Sequence, residues 1–270
     1  MRPIIEVFEL TGAVVVAMTA IMAGAWLTQR ALKNGGWVDV FWTFGSGLCL
    51  SVAAMASGNW GGDSAWRRVL MAVLLVGWSV RLGGHVAVRV ARDRAEDARY
   101  AAFRTQWGGA FQRRMFGLVI VQAPVTGLLA LSVISAAENP DPHWRVRDAL
   151  GLAVFLAAAA GEAIADRQLG RFRSNRQNAG KVCERGLWSW SRHPNYFFEA
   201  AVWLAWPLMG LDLARPWTLM TLVAPLVMYL TVRFASGVPP LEAAMLASRG
   251  EAYAAYQRRV SVLLPLPPRR

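Results

Sequence analysis

The sequence is poor in the residues that build disulfide scaffolds and metal centres. It has two cysteines and three histidines in 270 residues. No pair of them has the spacing of a zinc site, and we expect Cys49 and Cys183 to stay reduced. Standard glycine-rich phosphate loops are also missing. These absences argue against a disulfide-rich secreted protein, a histidine-cluster metalloenzyme and a nucleotide fold of the usual kind.

Charged residues are scarce and apolar residues abundant. Charged side chains make up 17% of the chain, against roughly 25% in soluble domains. Apolar residues make up 55%, and thirteen tryptophans suit anchoring at membrane interfaces. A membrane-spanning helix needs about 20 mostly apolar residues. We therefore predict an all-α integral membrane protein, a single seven-helix domain over residues 1–270, with spans at Val7–Leu27, Trp37–Met55, Val69–Val90, Phe116–Ile134, Ala149–Ala165, Tyr196–Leu211 and Pro216–Ala235.

The basic residues are distributed unequally between the two sides of this predicted bundle. The net charge is +12, and most lysines and arginines fall in the 28–36, 89–115 and 166–195 loops and in the C-terminal tail. Because cytoplasmic loops carry the excess of basic residues, we expect a bacterial inner-membrane protein with a periplasmic N-terminus and a cytoplasmic C-terminus. Topology explains much of the charge, so we expect no nucleic acid partner. The surplus in two loops indicates an anionic ligand or anionic lipid.

Several ionisable residues fall inside the predicted spans, where each costs about 2.5–3.5 kcal/mol at the helix centre. Helical spacing places some of them on shared faces with other polar residues at or just beyond the span ends. These are Arg81, His85 and Arg92 on the third span, Glu162 and Asp166 on the fifth, and Asn195 and Glu199 on the sixth. The pattern predicts a polar cavity inside the bundle. The alternative is a set of buried ion pairs, such as Arg233 with Glu162, that fix helix register.

The segment 165–199 has the highest density of side chains suited to binding a ligand. It combines guanidinium groups, amides, aromatic rings and an Arg192-His193-Pro194 turn before the sixth span. Arginine binds phosphate through paired hydrogen bonds. Proline is favourable in the first turn of a helix, and a helix N-terminus attracts anions. The combination favours a nucleotide site without a Rossmann domain over a loop that only contacts lipid headgroups.

These residues resemble a known family. The stretches 165–173 (ADRQLGRFR), 180–199 (GKVCERGLWSWSRHPNYFFE) and 241–269 resemble the C-terminal domain of the steroid 5-alpha reductase superfamily, most of all its bacterial branch of uncharacterised membrane proteins. A weaker likeness over 30–115 rests on VDVFW at 38–42 and on the spacing of Arg81 and Arg92. The resemblance implies a seven-span NADPH-dependent enzyme in which 165–270 binds the cofactor.

The resemblance also implies roles for individual residues. Hydride from NADPH would reach the β-carbon of a lipophilic enone, steroid-like or isoprenoid, with Asp39 and Glu199 in catalysis. Trp42, Trp78 and His85 would contact the substrate, and Trp78 stands where the reductases carry a tyrosine. The residues implied to hold the cofactor are Arg81, Arg92, Asp166, Arg171, Arg173, Asn178, Lys181, Arg192, His193, Asn195, Tyr196, Arg233, Tyr253 and Tyr256.

Two alternatives stay open. The related isoprenylcysteine carboxyl methyltransferases share the Arg-His-Pro turn and use S-adenosylmethionine, a cationic cofactor without phosphate. Their tail tends to carry a glutamate pair, whereas Glu242 stands alone between Leu241 and Ala243. The other alternative is a non-catalytic lipid-binding relative. In each case we expect membrane lipid and a lipophilic small molecule as partners, and no metal.

Overall fold

The structure is a computed structural model that describes residues 2–58, 65–92 and 96–269, and this part of the chain is almost entirely helical. The α-helices in it are α1 (Arg2–Leu32), α2 (Gly36–Ala56), α3 (Ala65–Arg92), α4 (Ala98–Trp107), α5 (Phe111–Ile120), α6 (Gln122–Ala137), α7 (Val146–Ser174), α8 (Pro194–Val202), α9 (Ala205–Gly210), α10 (Val223–Leu230), α11 (Val238–Arg249) and α12 (Glu251–Arg259). The predicted all-α class is confirmed.

Six helical stretches of the described chain are long and apolar enough to cross a membrane. They are Ile4–Leu32, Gly36–Ala56, Ala65–Arg92, Ala98–Ala137, Val146–Ser174 and Pro216–Arg249. The protein is therefore an integral membrane protein. The count of seven spans is not confirmed, and neither the sidedness of the termini nor the identity of the membrane follows from these helices.

The predicted sixth span, Tyr196–Leu211, differs from the structure. Two short helices, α8 and α9, replace a continuous one, and they are separated at Trp203 and Leu204. Pro207 explains the break. Proline has no N–H to donate to the carbonyl of Trp203, and its ring crowds that carbonyl.

Two predicted loops are largely helical. Helix α7 continues from the predicted end at Ala165 to Ser174, and the 89–115 segment contains α4 and the start of α5. Arginine is a good helix former, and a positive charge is favourable near a helix C-terminus. Arg171 and Arg173 occupy the last turn of α7, so the basic residues extend the helix instead of ending it.

The chain divides into two compact units. The first comprises Met1–Ala149 and Trp206–Val227, and the second comprises Leu150–Ala205 and Met228–Arg270. The predicted single domain over 1–270 and the cofactor-binding portion over 165–270 stay predictions. The second unit includes all of the predicted cofactor portion except the segment 206–227.

Small side chains allow close helix packing in the first unit. A Cβ atom added to Gly47 of α2 would lie 2.1 Å from the Ser79 Cβ of α3. The Ser79 hydroxyl donates to the carbonyl of Thr43 at 3.0 Å. Close approach at small residues, with hydroxyl-to-carbonyl hydrogen bonds, is typical of helix pairs in membranes.

A buried ion pair joins the starts of α3 and α7 in the first unit. Arg67 and Asp148 are both fully buried, and Arg67 Nη1 donates to Asp148 Oδ1 at 2.5 Å. The same nitrogen donates to the carbonyl of Met209 at 2.8 Å. Asp148 Oδ2 accepts the backbone N–H of Arg145, which precedes α7. The arginine, which the sequence places in an outer loop, is thus part of the core.

We expect Arg67→Met to destabilise the first unit. The variant leaves the Asp148 carboxylate buried without its cation, a loss of about 3–5 kcal/mol in comparable cases. Thermal unfolding of the detergent-solubilised protein measures the effect. The matched control is Arg215→Met, because Arg215 forms a partly exposed pair with Asp212, and such pairs contribute about 1 kcal/mol or less. Equal melting temperatures in the two variants would contradict the prediction.

Candidate functional site

Helices α7 and α8 pack closely in the second unit. Gly161 of α7 faces the ring of Phe198 on α8, and a Cβ atom added to Gly161 would lie 2.4 Å from that ring. The small residue therefore lets the two helices approach where Asp166 follows it on α7 and Asn195 precedes Phe198 on α8. Asn195 Nδ2 of α8 donates to Asp166 Oδ1 of α7 at 3.5 Å. An amide and a carboxylate thus meet as their helical spacing predicts.

Two further carboxyl groups on these helices are buried. Glu162 lies one turn before Asp166 on α7, and its exposed fraction is 3%. Glu199 lies one turn after Asn195 on α8, is 7% exposed, and accepts the indole N–H of Trp203 at 3.4 Å. The two helices therefore present an acidic and amide-bearing surface inside the second unit.

The Arg-His-Pro turn leads into α8 in the way its sequence predicts, with Pro194 in the first helical turn. Arg192 is 8% exposed. Its Nε donates to Glu242 Oε1 at 2.6 Å, and its Nη1 donates to the carbonyls of Gln257 and Val260 at 2.9 and 2.6 Å. The guanidinium therefore joins the turn to α11 and to the end of α12.

Glu242 of α11 is the centre of this arrangement. Besides Arg192, its carboxylate contacts His193 Nε2 at 3.1 Å and accepts the side-chain N–H of Gln257 at 2.9 Å. The Tyr253 hydroxyl donates to it at 3.4 Å. We call Arg192, His193, Glu242, Tyr253 and Gln257 the Glu242 cluster. Glu242 was absent from the residues predicted for the site. A lone acid among the apolar residues of α11 could have indicated it, because an ionisable residue in a membrane helix needs a partner or a function.

The C-terminal segment is held against the turn by further hydrogen bonds. The Tyr256 hydroxyl donates to the carbonyl of Trp188 at 2.5 Å, and the Ser191 hydroxyl donates to that of Leu263 at 2.8 Å. Burial raises the pKa of both Tyr253 and Tyr256. The two phenols therefore stay protonated and act as donors to the protein. Their predicted place at the cofactor stays a prediction.

The remaining predicted cofactor residues of the second unit differ in exposure. Arg171, Arg173 and Lys181 are exposed. The Asn178 amide donates to the carbonyl of Phe172 at 2.9 Å and so closes the end of α7. Arg233 lies in a π-helical turn over Thr231–Ala235 and stacks on Phe234, 4.8 Å from the ring centroid. Such turns are frequent at functional sites.

The other predicted residues belong to the first unit. These are Asp39 and Trp42 on α2, and Trp78, Arg81, His85 and Arg92 on α3. Asp39 accepts at both carboxyl oxygens, from Arg99 Nη2 at 2.6 Å and from the Tyr100 hydroxyl at 2.8 Å.

The two predicted tryptophans contact each other. Trp42 and Trp78 meet edge to face with ring centroids 6.0 Å apart, and Trp78 is 1% exposed. The Trp42 indole N–H donates to the Thr126 hydroxyl at 3.1 Å. Within the described ranges, no group of three or more His, Cys, Asp or Glu side chains could hold a metal ion.

Comparison with known proteins identifies the family. A family model described as a protein of unknown function, DUF1295, matches residues 25–260. The chain belongs to the DUF1295 family. This family is steroid 5-alpha reductase-like, which agrees with the resemblance of its sequence motifs. No curated protein and no solved structure matches the chain.

In this DUF1295 protein we expect Arg192→Ala to release the C-terminal segment. The variant removes the two hydrogen bonds to backbone carbonyls near the end of α12 and leaves Glu242 without its nearest cation. Limited chymotrypsin digestion should cleave after Tyr253 and Tyr256 faster than in the wild type. Arg258→Ala is the control, because Arg258 is 64% exposed. Unchanged cleavage of the Arg192 variant would show that the guanidinium does not hold the segment.

Proposed function

We propose that this DUF1295 protein is an NADPH-dependent membrane reductase that transfers hydride to the carbon–carbon double bond of a lipophilic enone, steroid-like or isoprenoid. The observation that carries the proposal is the pairing of Asp166 with Asn195 on α7 and α8. The same stretch of chain contains the buried Glu199 and a series of exposed cations. The steroid reductase-like relationship of the family supports the reaction class.

The polar and charged side chains of the second unit fit a phosphorylated nucleotide. Asp166 and Asn195 offer an acceptor and a donor to ribose hydroxyls. Arg171, Arg173 and Lys181 offer phosphate ligands. The cofactor roles implied for Arg81 and Arg92 of the first unit stay predictions. S-adenosylmethionine has no phosphate, and clustered arginines repel its sulfonium charge. NADPH, when bound, supplies the hydride, and the chain supplies position and polar environment.

We assign Arg192 an indirect role. Its guanidinium contacts Glu242 and two carbonyls of the chain, so it orders the turn before α8 instead of providing a first contact with phosphate. The exposed cations at the end of α7 are better candidates for that contact.

On the substrate side we propose Tyr100 as the hydrogen-bond donor. Reduction at the β-carbon places negative charge on the carbonyl oxygen of the enone, and a donor at that oxygen stabilises the transition state. Asp39 accepts at both oxygens in the structure, whereas the Tyr100 phenol carries a proton. The phenol can turn from Asp39 to the substrate while Arg99 continues to neutralise the carboxylate. Asp39 is then a positioning residue, and Tyr100 provides the phenol that position 78 lacks.

Isotope transfer tests the reaction. The purified protein is incubated with NADPH deuterated at C4 and with a 3-oxo-4-ene steroid or an isoprenoid enone, and the products are analysed by mass spectrometry and NMR. The proposal requires deuterium at the β-carbon of a saturated ketone. Transfer of a labelled methyl group from S-adenosylmethionine to a lipid carboxylate, without deuterium transfer, would overturn it.

We expect Tyr100→Phe to lower turnover by about 100-fold, because a positioned proton donor contributes at least this much in many enzymes. Asp39→Asn should lower turnover by a smaller factor, because the phenol is retained. Both variants should bind NADPH as the wild type does. Phe103→Leu, in the same helix, is the control for packing. Full turnover in the Tyr100 variant would remove the phenol from the mechanism.

We expect the double variant Arg171→Ala, Arg173→Ala to bind NADPH at least about tenfold more weakly, since loss of charged contacts to phosphate costs more than about 1.4 kcal/mol. Affinity for NADH should fall less, because NADH lacks the 2′-phosphate. Calorimetric titration of both nucleotides measures the ratio. Arg258→Ala serves as the control for a lost surface charge. Equal affinity of the double variant and the wild type would overturn this placement of the phosphates.

A further inference from the structure

His193 is almost completely buried in the Glu242 cluster. Its exposed fraction is 2%. The ring lies nearly parallel to that of Tyr196, with centroids 5.5 Å apart and 13° between the planes. Its Nε2 atom is 3.1 Å from Glu242 Oε1. The position and orientation of the imidazole are therefore set by one stacking contact and one hydrogen bond.

The contact with Glu242 decides which ring nitrogen carries the hydrogen. An ionised carboxylate only accepts hydrogen bonds, and Arg192 Nε, 2.6 Å from Glu242 Oε1, favours the ionised form. The hydrogen of a neutral imidazole must therefore lie on Nε2. Burial lowers the pKa of His193, and the positive charges of Arg192 and Arg233 add to this effect, while Glu242 opposes it. The ring is neutral at pH 7, and Nδ1 carries a lone pair.

Nδ1 is a buried acceptor without a donor. In the part of the chain that the structure describes, this atom is inaccessible to solvent and has no hydrogen-bond partner. Nδ1 is one of several buried side-chain atoms without a partner in the described residues, and it is the one that lies on the Arg-His-Pro turn. Leaving such a group unpaired costs about 1–3 kcal/mol, so a partner is expected. The other ring nitrogen is fully used by Glu242. The missing partner must be a hydrogen-bond donor.

The charges around the ring restrict the ligand group further. Arg192, Arg233 and Glu242 all act on His193 electrostatically, and the ring of Tyr196 stacks on the imidazole. An ionised phosphate oxygen is an acceptor and cannot pair with a lone pair on Nδ1. A hydroxyl or an amide N–H can.

We propose that Nδ1 of His193 accepts a hydrogen bond from a hydroxyl or amide N–H of the bound nucleotide, and that Glu242 is the positioning residue that fixes the tautomer required for it. This rests on the proposed NADPH function and deepens it. It assigns the histidine of the Arg-His-Pro turn a neutral, accepting role instead of that of a phosphate-binding cation. In NADPH, the ribose hydroxyls and the nicotinamide carboxamide offer such a hydroxyl or amide N–H.

NMR spectroscopy can determine the tautomer of His193 directly. The chain has three histidines, so ¹⁵N-histidine labelling gives three imidazoles, and His85→Gln and His143→Gln assign two of them. Long-range ¹H–¹⁵N correlation spectra of the detergent-solubilised protein at pH 7.5 should show His193 as the neutral Nε2–H form. An imidazolium or an Nδ1–H form in the wild type would overturn the inference.

Glu242→Leu should release the tautomer. Arg192 Nε and His193 Nε2 both contact Oε1 of Glu242, and the variant removes this acceptor, so the ring hydrogen is no longer held on Nε2 and also occupies Nδ1. NADPH affinity should fall by about tenfold, as expected for the loss of one hydrogen bond at Nδ1, and cooperative thermal unfolding shows that the variant is folded. The matched control is Gln257→Met, which removes another hydrogen bond to Glu242 without touching the histidine, and it should leave the tautomer unchanged. An unchanged His193 spectrum in the Glu242 variant would remove Glu242 as the positioning residue.

Titration with NADPH tests whether the nucleotide donates the proposed hydrogen bond to Nδ1. Saturation, established by calorimetry on the same sample, should move the Nδ1 resonance of His193 in the direction of an acceptor that has gained a hydrogen bond. NADPH binding with an unmoved Nδ1 resonance would overturn this inference and leave the proposed function standing. Absence of NADPH binding to the folded protein would overturn both.

Discussion

One carboxylate organises the second unit. Charged and polar groups in an apolar protein need partners, because an unpaired charge removed from water is costly. Glu242 meets this need for Arg192, His193, Tyr253 and Gln257 together. The result joins the turn before α8 to α11 and α12. The position of Asn195 and Glu199, which follow that turn on α8, depends on this junction.

The polar residues of the protein divide into two kinds. Some are satisfied within the chain, such as the fully buried pair of Arg67 and Asp148. Others lie at the ends of helices with groups directed to solvent, such as the exposed Arg171 and Lys181. The first kind holds helices together and contributes to stability. We propose that a ligand binds to the second kind and to Nδ1 of His193, a buried nitrogen without a hydrogen-bond partner in the described residues.

Much of the fold could be predicted from local patterns. Apolar runs gave the membrane helices, and helical periodicity placed Asp166 and Asn195 on faces that do meet. Proline chemistry gave the start of α8 at Pro194. These features depend on spacing within one segment, which a sequence displays directly.

The features that escaped prediction depend on contacts between distant segments. Glu242 meets Arg192 across fifty residues of chain, and Tyr100 meets Asp39 across sixty-one. No periodicity encodes such a pairing. The continuation of α7 beyond Ala165 was missed because basic residues were interpreted as a loop. Charge density indicates a membrane side, but it does not end a helix.

The central claim is that the second unit binds a phosphorylated nucleotide. Calorimetric titration of the purified, detergent-solubilised protein with NADPH and then with S-adenosylmethionine tests it most directly. NADPH should bind saturably, and S-adenosylmethionine should neither replace it nor weaken its binding. Binding of S-adenosylmethionine alone, to protein shown to be folded by its cooperative thermal unfolding, would contradict it.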